Sequence, residues 1–412
     1  MTTAVCFNCV EDSYLKEIIN DEGEPLRCSV CGEENNNAFT VEQLGKRIEP
    51  IMREHFCPAQ GENGDSMLTV VQEVMRQDFT FDDEIVDAVI DSEFCRPGDG
   101  DEPFWNETST YIEHRVKPVH YFAEWQRTLD ELKGNRRFFS PAAKTLFGKL
   151  FKDVGNMKAC KASGEKPFKL EPVMRSLPVG TELFRARICD SRSELQDFYK
   201  NPFQHVGPPP KNKPRPAGRM NAEGVAVFYG AMDEETCLAE MRPALTNEIA
   251  IITLETTAPL RILDFSLLER AHGTLSYFDP DYTEQVEKHA FLRHIHRLIS
   301  QPVVPKREAD YLITQAMSEY LAHVHQNPFD GILFASAQRE NGTNIVLFAK
   351  PDLLTGSLDE AFSVSYIFDS IRLFSTTSIK YGHHRSDVIV GADKKLWIDQ
   401  ERGEEIGDEW IR

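Results

Sequence analysis

Residues 218–243 read GRMNAEGVAVFYGAMDEETCLAEMRP. Arg219 precedes a turn, residues 225–229 form a short apolar strand, and Asp233 is a natural N-cap for a helix that Pro243 limits. Arg219, Tyr229 and Glu240 therefore stand on three successive elements, ten and eleven residues apart. A strand–turn–helix unit can gather such groups around one cleft. A cation, an aromatic plane and a carboxylate are the groups that grip a phosphorylated nucleoside and stabilise positive charge on its sugar. Taken alone, Glu240 reads as a solvated helix glutamate paired with Arg242 or another surface cation, because most glutamates are exposed.

Outward from this stretch, the C-terminal half alternates short strands with helices. Strands are expected at 182–187, 225–229, 249–254, 260–264, 331–335 and 344–349, with further candidates at 363–369 and 376–381. Asn341-Gly342 is a tight-turn signal that joins two of them as a hairpin. Leu312, Ile313, Ala316, Met317, Tyr320, Leu321 and Val324 form one apolar helical stripe, the mark of core packing against a sheet. The N-terminal half reads as helical from about residue 40 to residue 153. Thr40 with Gln43 suggests a capping box, and Ser140-Pro141 a second helix start. Residues 159–172 are polar and punctuated by Pro and Gly, which places a boundary there.

Composition sets limits. The chain has 412 residues, 41% apolar and 27% charged, enough for two or three packed domains. Its net charge of −20 argues against a general nucleic-acid-binding role, which needs a basic face. No apolar run is long enough to span a bilayer, and the N-terminus lacks a signal-peptide pattern, so a cytoplasmic location is expected. Cys6, Cys9, Cys28 and Cys31 have the C-x2-C…C-x2-C spacing of a structural zinc ribbon or knuckle, in which four thiolates fill a tetrahedral Zn²⁺ and leave no open position. A disulfide framework is the alternative for the same four residues. Cys57, Cys95, Cys160, Cys189 and Cys237 stand singly and read as buried apolar fillers.

Several separated pieces occur in one order: Leu183-Phe184-Arg185, Gly218-Arg219-Met220-Asn221, Val227-Phe228-Tyr229-Gly230-Ala231, Leu238-Ala239-Glu240, Asp330-Gly331-Ile332, Ser336, and Asn344-Ile345-Val346-Leu347-Phe348. With them, residues 183–350 resemble the RES domain family. The resemblance implies a fold similar to ADP-ribosyltransferases, with small packed sheets flanked by helices and NAD⁺ bound in the cleft as substrate. It implies cleavage of the nicotinamide–ribose bond, by phosphorolysis to nicotinamide and ADP-ribose 1-phosphate or by transfer of ADP-ribose to a protein. It also implies inorganic phosphate as a second substrate, a role as toxin or defence effector, and a small antitoxin or other regulatory partner. The catalytic residues expected from it are Arg185, Arg219, Tyr229, Glu240 and Ser336. NAD⁺ would contact Arg185, Arg187, Arg219, Tyr229 and Asn344. Arg185 and Arg187 alternate on one strand and so share a face, and Arg185 holds the family's motif position. The basic, proline-rich segment 207–216 reads either as a lid or steering element for an anion or as a solvated loop.

The expected fold class is α+β: an all-α N-terminal domain with a zinc knuckle, then an ADP-ribosyltransferase-like RES domain. The expected divisions are a four-cysteine knuckle at 1–35, a helical domain at 36–160, the RES domain at 175–390 and an acidic tail at 391–412. Arg115-x4-His120 resembles the R-x4-6-H signature of HEPN ribonucleases, although Pro118 would strain a continuous helix there. The helical domain thus reads either as an RNase or as a degenerate unit serving dimerisation or sensing.

Overall fold

The computed structural model describes residues 2–59, 64–93, 104–106, 108–114, 117–134, 136, 139–160, 170–208, 217–268, 275–301, 311–350, 361–378, 387–390 and 396–399. Its centre is one nine-stranded sheet in the C-terminal half. In chain order its strands are β1 (Met174–Leu177), β2 (Glu182–Cys189), β3 (Val227–Ala231), β4 (Glu248–Thr256), β5 (Leu260–Asp264), β6 (Gly331–Ala335), β7 (Thr343–Phe348), β8 (Val364–Tyr366) and β9 (Arg372–Ser375). The spatial order is β8-β4-β2-β3-β7-β6-β5-β1, and β9 shares the β4 edge with β8. Among the described residues only β5 and β6 pair in parallel; the other pairs of this sheet are antiparallel. The α+β architecture expected from the sequence is present, and its sheet is continuous and curled.

Period-two alternation divides the apolar residues between two cores. Val346 and Phe348 face one side, where the helices Tyr282–Ser300 and Leu312–Glu319 pack. Ile345 and Leu347 face the other, filled by Phe198, Val206, Ala361 and Phe362. β4, EIAIITLET, is buried along almost its whole length, which explains its run of β-branched residues. The β6–β7 hairpin turns at Asn341, whose φ of 58° is the left-handed conformation asparagine tolerates. Of the candidate strand at 363–369, Val364–Tyr366 is present as β8 and the rest is not strand. Among the described residues the last strand of this sheet is Arg372–Ser375; of the candidate at 376–381, Thr376 still exchanges backbone hydrogen bonds with Thr246 and Asn247, and residues 379–381 lie outside the described residues.

The apolar stripe at 312–324 is buried at Ile313, Met317 and Leu321. After Glu319 the helix continues as a π-turn, Tyr320–Val324, and Val324 emerges 52% exposed. The wider turn rotates the register, so the stripe ends one turn earlier than ideal helical spacing predicts.

The N-terminal half contains the expected helices. Thr40 and Gln43 form a reciprocal capping box, and Ser140 caps a helix with Pro141 in its first turn. The all-α expectation needs amending. Strands Asn37–Thr40, Phe56–Pro58, Asp65–Ser66 and Thr110–Glu113 build parts of two three-stranded sheets, and Lys158–Cys160 pairs with Leu170–Pro172. Strands of two to four residues are too short to leave an alternating pattern in sequence. Residues 36–160 contribute to two cores. Leu44, Ile48, Val70 and Ile85 pack with Val5, Leu15 and Ile19, and with Tyr277 and Tyr282 at the start of the long Tyr282–Ser300 helix. Tyr121, Trp125, Leu146 and Phe151 pack instead on the helical side of the nine-stranded sheet. Among the described residues no helix is long and apolar enough to cross a membrane.

Candidate active site

A cavity of about 420 Å³ opens beside β2, β3 and the Glu234–Glu240 helix. Its charged lining residues are Arg185, Arg187, Arg219 and Glu240, three cations against one carboxylate, for a formal charge of +2. That local balance is opposite to the chain's net −20. Met220, Val225, Val227, Ile299, Phe334 and Ile345 give it apolar walls. A mostly apolar cavity with a few convergent polar groups is the usual form of a small-molecule site.

Glu240 sits in the last turn of its helix. Asp233 caps that helix by accepting from Thr236 N at 2.8 Å, a bond worth about 1 kcal/mol. The Glu240 carboxylate accepts Ser336 Oγ–H at 2.6 Å and Asn344 Nδ2–H at 2.7 Å, both at Oε1. Among the described residues it forms no ion pair with Arg242 or any other cation. Ser336 also accepts the backbone N–H groups of Gln338 and Arg339, at 3.1 and 3.2 Å. The Arg339 side chain returns to the helix start, donating to Asp233 Oδ1 at 2.6 Å and to Thr236 Oγ1 at 3.1 Å. The turn after β6 is thereby tied to both ends of the Glu240 helix. His296 adds a further hold, its Nε2 accepting Ala335 N–H at 3.1 Å.

Arg219 lies in a turn that Gly218 N–H closes on Asn221 O at 2.9 Å. The neighbouring helix supports this turn with polar groups: Thr314 Oγ1 donates to Arg219 O at 2.6 Å and Gln315 Nε2 to Gly218 O at 2.7 Å. Tyr229 Oη donates to Asn221 Oδ1 at 2.9 Å and accepts Met220 N–H at 3.1 Å. Gly218 permits this close packing, since a Cβ there would lie 2.5 Å from Asn221 Oδ1 and 2.8 Å from Tyr229 Oη. Arg219 Nη1 donates to Ile299 O, one of the unsatisfied carbonyls at the end of the long helix. Burial lowers the Arg219 pKa, opposed by Tyr311 and Glu240.

The two arginines of β2 differ. Arg185 is 5% exposed, donates through Nε to Val206 O at 2.8 Å and through Nη1 to Tyr229 O, and lies over the Phe228 ring. Burial, then the charge of Arg187, pulls its pKa down to about 9. Arg187 is lowered by burial too, yet among the described residues it has no hydrogen bond or ion pair. Cys237 lines the same cavity, and burial pushes its thiol up to about 12, so it stays neutral. Burial likewise pushes the Tyr229 phenol up to about 12 and keeps it a donor.

The cavity thus gathers Arg185, Arg187, Arg219, Tyr229, Glu240 and Asn344 from the residues anticipated in sequence. Ser336 stands behind Glu240 and is not among the lining groups. Asn221 belongs to the Gly218-Arg219-Met220-Asn221 piece, but sequence reasoning assigns it no role; Thr314, Gln315 and Arg339 are not singled out by it at all. Segment 209–216 and Arg115 lie outside the described residues. His120 is exposed at the start of the Val119–Lys133 helix, with Pro118 as its N-cap.

A second site lies at the N-terminus. The sulphurs of Cys6, Cys9, Cys28 and Cys31 all lie within 4.8 Å of one another, with Cys6 Sγ 3.7 Å from both Cys9 Sγ and Cys31 Sγ. Tetrahedral Zn–S bonds of about 2.3 Å place sulphurs about 3.8 Å apart, so the four residues fit a zinc ion. At Cys28, burial opposes ionisation, but the N–H groups of Cys31, Cys6 and Val30 outweigh it and lower the pKa to about 6, which suits a thiolate ligand. Of the single cysteines, Cys189 and Cys237 are buried and Cys57 is half-buried.

The domain therefore combines a curled mixed sheet with an arginine-lined cavity that holds a single carboxylate. The family model of the RES domain matches residues 182–368, so a RES domain occupies this part of the chain and contains the whole cavity. No curated protein and no solved structure matches the chain.

Proposed function

We propose that the chain is an NAD⁺-consuming enzyme that breaks the nicotinamide–ribose bond, with inorganic phosphate as the acceptor. The observation that carries this reading is the pairing of one positioned carboxylate, Glu240, with three arginines in a single cavity. As the bond breaks, its electron pair leaves with nicotinamide and positive charge builds on the ribose. Glu240 stabilises that charge, an electrostatic effect that grows where water is scarce. Arg187 and Arg219 hold the pyrophosphate and the incoming phosphate through charge-assisted hydrogen bonds, while Arg185 is engaged by Val206 O and Tyr229 O. A phosphate oxygen then bonds to C1′, giving ADP-ribose 1-phosphate. Tyr229 contributes its ring to the wall, because its hydroxyl is already engaged with Asn221 and Met220. Ser336 and Asn344 fix Glu240. A zinc ion at Cys6, Cys9, Cys28 and Cys31 would supply structure and no chemistry, since four thiolates complete its coordination.

The test is to incubate the full chain with NAD⁺, with and without phosphate, and identify products by mass. ADP-ribose 1-phosphate formed only with phosphate is the expected result. Mass added to a protein substrate identifies an ADP-ribosyltransferase instead. Absence of turnover under both conditions contradicts the proposal.

A further inference from the structure

Among the described residues, two buried polar atoms at the cavity have no hydrogen-bond partner: Arg219 Nε and Ser300 Oγ. Both residues line the cavity. They are also neighbours, because Arg219 Nη1 donates to Ile299 O and Ser300 follows as the last residue of the Tyr282–Ser300 helix. Buried donors without acceptors are rare and costly in native proteins. Arg187 presents a third set of donors to the same cavity without a partner among the described residues.

We infer that Ser300, Arg219 Nε and Arg187 form a subsite for a phosphoryl group. A water molecule could satisfy a hydroxyl, but it would leave the cavity's formal charge of +2 in place. A phosphoryl group brings negative charge and several acceptor oxygens together, which matches one hydroxyl and two guanidinium groups. The division of labour on β2 follows. Arg185 is engaged by Val206 O and Tyr229 O and acts as scaffold, whereas Arg187 is the arginine left to meet the ligand. Ser300 belongs to none of the sequence pieces that carried the family resemblance. The inference rests on the NAD⁺ reading only for the source of the phosphoryl group, the dinucleotide's pyrophosphate or free inorganic phosphate.

Calorimetric titration of the full chain with ADP, inorganic phosphate and adenosine tests it, using wild type, Ser300→Ala, Ser300→Thr and Arg187→Ala. Ser300→Ala and Arg187→Ala should each weaken ADP or phosphate binding by roughly tenfold or more, the scale of a hydrogen bond or contact to a charged group. Ser300→Thr should retain binding, and adenosine binding should not respond to any of these changes. Loss confined to phosphate assigns the acceptor's subsite, and loss seen with ADP assigns the pyrophosphate's. Ligand-free Ser300→Ala should melt no lower than wild type, because the deleted hydroxyl has no partner to lose. Wild-type affinity in Ser300→Ala, no wild-type binding of either anion, or a lower ligand-free melting temperature in Ser300→Ala overturns the inference. Binding that behaves as expected in a protein that does not consume NAD⁺ leaves the subsite standing and removes the NAD⁺ reading.

Discussion

Ser336→Ala separates two roles for one serine. The family resemblance implies contact with substrate, whereas the structure spends the hydroxyl proton on Glu240 Oε1 at 2.6 Å. A hydrogen bond to an ionised group contributes about 1.5–3 kcal/mol. If that energy holds the carboxylate in place for the transition state, its loss slows the reaction roughly ten- to hundred-fold. Asn344 bonds the same oxygen at 2.7 Å and supports Glu240 in the single variant, so the lower end of that range is expected. Ser336→Ala/Asn344→Ala should lose more than the product of the single effects, by a coupling of at least about 0.5 kcal/mol, as expected for groups sharing one partner. Steady-state nicotinamide release from NAD⁺ is the assay. A positioning role lowers kcat and leaves KM nearly unchanged, and Ser336→Thr restores much of the rate. A raised KM with unchanged kcat would refute the positioning argument and return Ser336 to the substrate.

Three further outcomes follow from other parts of the molecule. Gly218→Ala places a Cβ 2.5 Å from Asn221 Oδ1 and 2.8 Å from Tyr229 Oη, so NAD⁺ cleavage should fall at least about tenfold through misplacement of Arg219; an unchanged rate in a folded variant contradicts the turn's role. Burial, then the charge of Glu113, raises the Glu73 pKa where both carboxylates accept from Tyr277 Oη. The folded chain therefore binds that proton more tightly than the unfolded chain, and the contribution to stability is lost as pH rises through the folded value. Glu73→Gln should accordingly raise the melting temperature at neutral pH, with the gain shrinking as the pH is lowered towards the ordinary carboxylate range; an equal gain at every pH contradicts the titration. Cys28→Ser should abolish stoichiometric zinc, measured by metal analysis. It should also lower the melting temperature, because Val5, Leu15 and Ile19 share a core with the helices that follow the knuckle, and structural zinc contributes several kcal/mol.

Much of the sheet was legible because its signals are local. Strand 331–335 matches β6, the Asn341 turn closes the hairpin, and the alternation of Arg185 and Arg187 brings both to one cavity. The roles within the cavity were less legible, because they depend on partners far away in sequence. Arg185 is held by carbonyls 21 and 44 residues distant, and Glu240 by side chains 96 and 104 residues distant. Local pattern carries no mark of such pairings. The helix at 312–319 illustrates the difference: its apolar stripe announced a core helix, while Thr314 and Gln315 gave no sign that they support the Arg219 turn. The short N-terminal strands failed for a different reason, since two to four residues do not establish a period.

The central claim is that Glu240 stabilises charge on the ribose. Glu240→Gln keeps the shape and an acceptor oxygen for Ser336 and Asn344 while removing the negative charge. Nicotinamide release from NAD⁺ at saturating phosphate is the direct measurement. The account predicts a fall in kcat of about 10²–10³-fold, the scale of losing one preorganised electrostatic group, with NAD⁺ binding retained. Turnover by Glu240→Gln at close to the wild-type rate would contradict it.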